Sequence, residues 1–176
     1  MGWIGLIVVL LILGLGTYYI YTVNRVTNMD SAARNRAGDI DTVLWDRNHS
    51  FEGITAILKE KEIPLDEKMT EPLALTLGMP PSLQMANHTE LHRRRKELDK
   101  ILEEHPELSE DEALTALITK FDGLRTELVE ASKRYNASAR DFNGYIEKGF
   151  PSFIAARKTK GVRSFFSLDL AEVSVK

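Results

Sequence analysis

The chain has 176 residues, no cysteine and a formal net charge of −3 at pH 7. A charge so close to neutral does not favour nucleic acid as a partner. The absence of cysteine excludes disulfides, thiolate metal sites, thiol catalysis and lipidation of a cysteine. Beyond the apolar N-terminal segment, about 150 residues remain, which is enough for one domain with a hydrophobic core.

Segment 2–23 has no acidic or basic side chain. As an α-helix these residues would rise about 33 Å, and the hydrocarbon core of a bilayer is roughly 30 Å thick. Trp3 lies at one edge and three tyrosines lie at the other, as in the aromatic belts of membrane helices. The basic n-region and small-residue cleavage site of a secretory signal peptide are absent. The pattern predicts an uncleaved transmembrane anchor over residues 1–23.

Basic residues flank the predicted anchor on one side only. None precedes it, whereas Arg25, Arg34 and Arg36 follow it closely. Because lysine and arginine are enriched in cytoplasmic segments, this asymmetry predicts a single-pass protein of the cytoplasmic (inner) membrane. Its short N-terminus would lie outside the cell and the rest of the chain in the cytoplasm.

Beyond the anchor, apolar side chains recur every three or four residues from Val23 to Leu58. This is the period of a helix that buries one face. Asp30 and Arg47 fall on the same stripe. No glycine–proline break occurs before Glu62, so the anchor helix is predicted to continue directly into the soluble part.

A proline-rich connector follows, with four prolines between positions 64 and 81 and at most a short helix in 70–78. A second helix is predicted from Ser82 to Glu104, where His105-Pro106 ends it. Its expected apolar side consists of Leu83, Leu91, Leu98, Ile101 and Leu102.

The third helix has the clearest periodicity. Ser109 and Glu112 match a capping box at its start, and Gly149 and Pro151 are expected to end it. A seam of side chains recurs every seven positions in two rows, which predicts coiled-coil-like packing. The first row is Leu114, Phe121, Leu128, Tyr135 and Phe142; the second is Leu117, Leu124, Ala131, Ser138 and Tyr145.

These elements predict an all-α fold. A single N-terminal transmembrane helix continues into an antiparallel bundle of three long helices and a short connector helix. No alternation of the period expected for strands occurs. We place the anchor at 1–23, the bundle at 24–150 and a C-terminal tail with a basic and aromatic segment at 151–176.

The end of the third helix and the residues after it carry a recognisable motif. It consists of Tyr135-Asn136, Phe142-Asn143, Phe150-Pro151-Ser152 and Ile154-Ala155. These residues resemble the signature of the LemA family, YN-x5-[YF]N followed by FPSxxIA. Ile40-Asp41, Leu44 and Arg47 resemble a second, less specific stretch of that family, ID-x-x-L-x-x-R. The resemblance implies a membrane-anchored antiparallel helical bundle, mostly bacterial, with no established enzymatic activity. It implies a structural motif and no catalytic residues. Arg125 departs from the family pattern, which has a glutamate there.

The motif also has an interpretation in terms of packing. Tyr135 and Phe142 lie on the heptad seam, so we interpret both as core residues. Asn136 and Asn143 lie beside that seam. An asparagine there commonly fixes helix register through an interhelical hydrogen bond, and leaving its amide unpaired would cost about 1–3 kcal/mol. Contact with a ligand or a partner is the alternative.

His88 and His92 are four positions apart on the second helix, so they share a face. This spacing can hold a metal, but Glu90 lies off that face and the order of a zinc protease motif is absent. A solvated polar face is the favoured interpretation, and the same holds for the basic run 93–96. No cofactor is predicted.

Segment 150–166 contains Arg157, Lys158, Lys160 and Arg163, four phenylalanines and no acidic residue. The four cations are candidates for lipid contact, because an anionic membrane surface attracts each basic side chain by about 1 kcal/mol. In the alternative, which we favour, the phenylalanines fold onto the bundle and the basic side chains stay in water.

The leading functional hypothesis is a non-enzymatic scaffold that self-assembles, or recruits a protein partner, at the membrane. It follows from the continuous helix, the long seam and the lack of an assembled chemical site. The expected partners are the lipid bilayer, further copies of the chain and an unidentified protein, but not nucleic acid. The alternative is a metal-dependent enzyme or sensor that uses His88 and His92.

Overall fold

The computed structural model describes residues 2–158 and 160–168. This part of the chain contains five α-helices and one 3₁₀ helix and no strand, so the predicted all-α class is confirmed. The helices are α1 (Gly2–Glu60), α2 (Glu67–Thr70), α3 (Pro81–Glu104), the 3₁₀ helix (Pro106–Glu110), α4 (Glu112–Ile146) and α5 (Gly149–Arg157). The end of the predicted tail, 169–176, lies outside the described residues.

Helix α1 runs without interruption from Gly2 to Glu60, as predicted. Among the described residues it is the one helix that is long and apolar enough to cross a membrane. Its large apolar side chains between positions 3 and 21 are exposed, and Trp3 is 80% exposed. Farther along, the predicted stripe is buried at Val26, Ala33, Ile40, Leu44, Phe51, Ile54 and Leu58. One helix therefore carries an exposed apolar run and a buried apolar stripe.

The chain forms two compact units, and α1 and α4 contribute to both. Unit 1 comprises Met1–Asn35 and Ala137–Ser164. Unit 2 comprises Arg36–Asn136 and Phe165–Lys176.

The core of unit 1 joins α5 to α1 and α4. Its buried members are Val26, Phe142, Ile146, Ile154 and Ala155. Gly149 and Pro151 follow the end of the third helix, as predicted, but the further helix α5 that begins there was not expected. Gly149 has a φ of +71°, which glycine adopts at little cost, and Pro151 lies in the first turn, where its missing N–H leaves no helical bond unmade.

In unit 2, α1 packs against α4. The rings of Phe51 and Phe121 lie 5.7 Å apart. A Cβ atom added at Gly53 would lie 3.0 Å from Leu117 Cδ1, so the glycine permits a close approach of the two helices. Phe51 of α1 lies against Phe121 of α4, and Gly53, two positions later in α1, lies against Leu117, four positions earlier in α4. These two helices therefore run in opposite directions.

Helix α3 begins at Pro81 and buries a face that differs from the predicted one. Of the expected apolar side, only Leu91 and Leu98 are fully buried. The other buried positions of α3 are Gln84, Asn87, His88 and Arg94. Apolar periodicity misplaced this face because it gives no weight to polar side chains whose hydrogen bonds are made inside the protein.

The polar face of α3 holds the connector that precedes it. Asn87 Nδ2 donates to the carbonyl of Ala74 at 3.0 Å. The guanidinium of Arg94 donates to the carbonyls of Met69 and Glu71 at 3.2 Å and 2.7 Å. A connector rich in proline has few N–H groups for regular structure, so side chains of α3 satisfy its carbonyls instead.

Two aspartates begin helices at positions that the sequence analysis places elsewhere. Asp66 caps α2, so the connector helix begins before the predicted range 70–78 and shares only Thr70 with it. Asp111 Oδ1 accepts a backbone N–H in the first turn of α4, whereas Ser109, the predicted cap, lies in the 3₁₀ helix. In both cases a carboxylate satisfies an N–H group that has no partner within the helix.

The predicted seam of α4 is buried. Every member of the first row is at most 2% exposed: Leu114, Phe121, Leu128, Tyr135 and Phe142. The second row is buried at Leu124 and Ala131 and half-buried at Leu117, Ser138 and Tyr145. The seven-residue spacing thus identified the interior side of α4 correctly.

Replacing Leu128 by alanine should lower the free energy of unfolding by about 2–5 kcal/mol, because its side chain is fully buried. Chemical denaturation of the full-length chain in detergent measures this change. Glu127→Ala, at the exposed neighbouring position, is the control and should change the value by less than about 0.5 kcal/mol. An equally small effect of Leu128→Ala would contradict its core placement.

Candidate functional site

The two motif asparagines bind the backbone of the segment that follows α5. In unit 1, Asn143 Nδ2 donates to the carbonyl of Arg163 at 2.9 Å, and Asn143 Oδ1 accepts the N–H of Arg163 at 2.7 Å. In unit 2, Asn136 makes the same pair of bonds with Phe166, at 2.7 Å and 2.8 Å. Each amide therefore satisfies both backbone groups of one residue.

These contacts correct the predicted role of the asparagines. Their partner is the non-helical segment 160–168 of the same chain rather than another helix. The two residues that they bind, Arg163 and Phe166, are three positions apart in that segment.

Asp30 binds the same segment within unit 1. Its side chain is 1% exposed, and its carboxylate accepts hydrogen bonds from Lys160 and Arg163. Arg34 Nε lies 3.2 Å from Asp30 Oδ2. Burial by itself raises the pKa of Asp30, but the hydrogen bonds from Lys160 and Arg163 outweigh this effect and hold that pKa below its ordinary value. Asp30 is therefore a buried anion whose charge is balanced by the C-terminal segment.

Helix α5 brings the motif phenylalanine beside the end of the apolar run. The ring of Phe150 lies 5.5 Å from the ring of Tyr18 and 6.1 Å from that of Tyr19. Its centroid is 6.2 Å from the ring of Phe153, which is 56% exposed. An aromatic surface thus joins α5 to the residues where the predicted anchor ends.

The four basic residues of the C-terminal segment fall into two groups. Arg157 and Lys158 are exposed at the end of α5. Lys160 and Arg163 are half-buried because they bind Asp30. Lys160 and Arg163 are therefore used inside unit 1, whereas the exposed side chain of Arg157 is accessible to an anionic surface.

His88 lies in the interior of unit 2 rather than on a solvated face. It is 2% exposed, and its Nδ1 lies 3.3 Å from a guanidinium nitrogen of Arg47. The ring of Phe166 is 6.5 Å away. His92 is half-buried. Among residues 2–158 and 160–168, no group of three or more histidine, aspartate or glutamate side chains is placed to hold a metal ion.

The basic run 93–96 is also less solvated than expected. Arg94 is 3% exposed, and both Arg93 and Arg94 bind the carboxylate of Glu90, at 2.7 Å and 3.0 Å. The hydrogen bond from Arg93 is the main reason that the pKa of Glu90 falls to about 2. Glu90 therefore stays ionised at physiological pH and orients the guanidinium groups that bind the connector.

An apolar groove lies on unit 2. It has a volume of about 340 Å³ and is lined by Asp41, Thr42, Trp45, Leu75, Thr76 and Leu77. Trp45 is 55% exposed and Leu77 is 85% exposed, so two large apolar side chains of the groove face solvent. Asp41 borders the groove and is held by Gln84 at 2.6 Å and by the N–H of Gly78 at 2.7 Å. Periodicity does not reveal this groove, because the connector supplies half of it.

The structure is that of an all-α protein with one long helix that carries an exposed apolar run. Its C-terminal segment is bound by the two motif asparagines. Residues 73–176 match the family model described as LemA family, so the chain belongs to the LemA family. The matched range contains the asparagine motif and α5, and it does not include the weaker resemblance at Ile40 to Arg47. The chain matches no curated protein and no solved structure.

Asp30→Asn should lower the free energy of unfolding at pH 7 by about 2–4 kcal/mol, because it removes the anion that binds Lys160 and Arg163. The folded-state pKa of Asp30 is lowered, so its contribution is complete above the ordinary value of 3.8 and is lost as the pH falls through the folded-state pKa. Denaturation of both chains across acidic pH should therefore show their stabilities converging in strong acid.

Asp39→Asn is the matched control, since Asp39 pairs with Arg36 at 3.3 Å on the surface. Its effect at pH 7 should stay below about 0.5 kcal/mol. A stability difference for Asp30→Asn that does not shrink in acid would show that the ion pairs are not its cause.

Proposed function

We propose that the chain is a membrane-anchored, non-enzymatic protein of the LemA type, an antiparallel helical bundle that acts as a self-assembling or partner-recruiting scaffold. It works at the bacterial cytoplasmic membrane. The observation that carries the proposal is α1, in which an exposed apolar run continues into a stripe buried in the folded part. A run of exposed apolar side chains is stable in hydrocarbon and unfavourable in water.

The use of the polar side chains supports a structural role. Asn136, Asn143 and Arg94 bind backbone groups of the chain itself, and Asp30 binds cations of the chain itself. Catalysis requires polar groups that converge on a space where a substrate fits. The groups singled out by the sequence converge on the protein instead.

Orientation is the first testable part of the proposal. The arginines after the anchor predict that both units lie in the cytoplasm. Basic residues set orientation when they lie within roughly 15–20 positions of the anchor, so this prediction rests on Arg25, Arg34 and Arg36.

Protease added to intact cells that express the full-length chain should therefore leave the folded part uncut, and permeabilised cells should show its digestion. Replacing Arg25, Arg34 and Arg36 by glutamine should expose a fraction of the molecules to the protease, because the positive charge next to the anchor is reduced. Complete digestion of the unmodified chain from outside would overturn the orientation.

Self-association is the second part, and the groove of unit 2 supports it. Confinement to a membrane raises the effective concentration of the chain, so weak contacts between copies suffice. Leu77 is an exposed apolar side chain at the edge of an apolar groove. A two-fold contact can insert this side chain of each copy into the groove of the other, because the same surface supplies both parts.

Light scattering of the detergent-extracted full-length chain should therefore show an oligomer, and deletion of residues 1–23 should weaken it. Leu77→Ser and Trp45→Ser should lower the oligomeric fraction of the full-length chain. Val162→Ser is the control, since Val162 is 76% exposed but lies in unit 1. A full-length chain that stays monomeric at high membrane density would overturn the scaffold proposal.

A further inference from the structure

We infer that the exposed face of α5 lies in the headgroup region of the membrane that holds α1 and binds anionic phospholipid there. The inference rests on the proposed anchoring and adds a second membrane contact to it. The face consists of Phe153, Ala156 and Arg157, and Lys158 follows directly after the helix.

The position of α5 in unit 1 is the first argument. Phe150 stacks on Tyr18 at 5.5 Å and contacts Tyr19 at 6.1 Å. These tyrosines lie near the end of the run 2–23, where a spanning helix leaves the hydrocarbon core. A helix in contact with them is at the depth of the lipid headgroups.

The two sides of α5 are the second argument. Ile154 and Ala155 are buried in the core of unit 1. Phe153 is 56% exposed, and Arg157 and Lys158 are exposed beside it. An aromatic ring with neighbouring cations is the composition of helices that lie in a membrane interface. Among the described residues the ring of Phe153 stacks on that of Phe150, and most of its surface remains exposed.

The distribution of charge is the third argument. Unit 1 contains eight lysine or arginine residues and three acidic residues, a formal charge of +5, although the whole chain carries −3. The acidic residues of unit 1 are Asp30, Asp141 and Glu147. Asp30 is occupied by its own cations, so it does not neutralise α5. Anionic lipid attracts such a unit, whereas a second copy of the same cationic face would be repelled.

The test uses single cysteines, because the natural chain has none and each label therefore occupies one position. Leu10→Cys, Phe153→Cys and Thr119→Cys place an environment-sensitive fluorophore in the apolar run, on α5 and on an exposed site of unit 2. Each full-length chain is reconstituted into phosphatidylcholine vesicles with added phosphatidylglycerol. Nitroxide-labelled phospholipid then reports direct contact between the fluorophore and lipid.

The nitroxide lipid should quench the labels at positions 10 and 153 and leave the label at 119 unquenched. Ala156→Cys, on the same exposed face, should behave like Phe153→Cys, which guards against a local effect of replacing the ring. If the label at 10 is unquenched, the anchoring itself fails. If the label at 10 is quenched and those at 153 and 156 are not, the anchoring stands and this inference is overturned. If the fluorophore at 153 is shielded from water only at high protein density, and lipid does not quench it, a second copy of the chain covers it. That outcome would also overturn the inference.

The charge dependence is tested in the Phe153→Cys background. Arg157→Gln with Lys158→Gln should lower the ratio of lipid-inserted to withdrawn label by about thirtyfold in the anionic vesicles, and have little effect in phosphatidylcholine alone. Lys59→Gln with Lys120→Gln removes the same charge from exposed positions of unit 2 and should leave the ratio unchanged. Equal responses of the two double variants would overturn the binding of anionic lipid.

Discussion

A polar group that leaves water must find a partner inside the protein, and this constraint determines how the non-helical parts of the chain are held. Residues 160–168, which the structure describes after α5, form no helix or strand, so Asn143 and Asn136 bind backbone groups there. The carboxylate of Asp30 is buried on α1, and the same segment supplies its cations. The side chains of α3 hold the connector by the same principle. Removing one partner leaves the other buried and unpaired, which is why each of these contacts constrains the fold beyond its own net energy.

Helix α1 continues from an apolar run into a one-sided stripe without a break, and an α-helix satisfies its own backbone hydrogen bonds in lipid as well as in a protein interior. Its side chains decide which environment each part prefers. The exposed run contains large apolar residues on all sides, whereas the stripe from Val26 to Leu58 occupies one side only. Asp30 lies in that stripe as a buried anion, and Lys160 and Arg163 balance its charge.

The features that face outward share a character that supports the proposed role. They are the apolar run of α1, the aromatic and basic face of α5 and the groove beside Trp45 and Leu77. Each is a surface of the kind that contacts lipid or another macromolecule. The inward-facing polar groups, by contrast, are engaged with the chain itself. The range that matches the LemA family, 73–176, contains α4, α5 and the asparagines that hold the C-terminal segment.

Periodicity determined much of the architecture, because burial of apolar area is roughly additive along one face of a helix. It correctly identified the continuous first helix, its buried stripe and the seam from Leu114 to Phe142. It misplaced the buried face of α3, where Gln84, His88 and Arg94 lie inside. The contribution of a buried polar side chain to stability depends on a partner that is distant in sequence. No local pattern contains that information.

The motif shows the same limit. The sequence by itself indicated that Asn136 and Asn143 need partners, since an unpaired amide beside a hydrophobic seam is costly. Only the tertiary structure decided that those partners are Phe166 and Arg163, and that Arg163 also binds Asp30. Hydrogen-bonding capacity is a property of a residue, but its satisfaction is a property of two residues brought together, and folding determines which two meet.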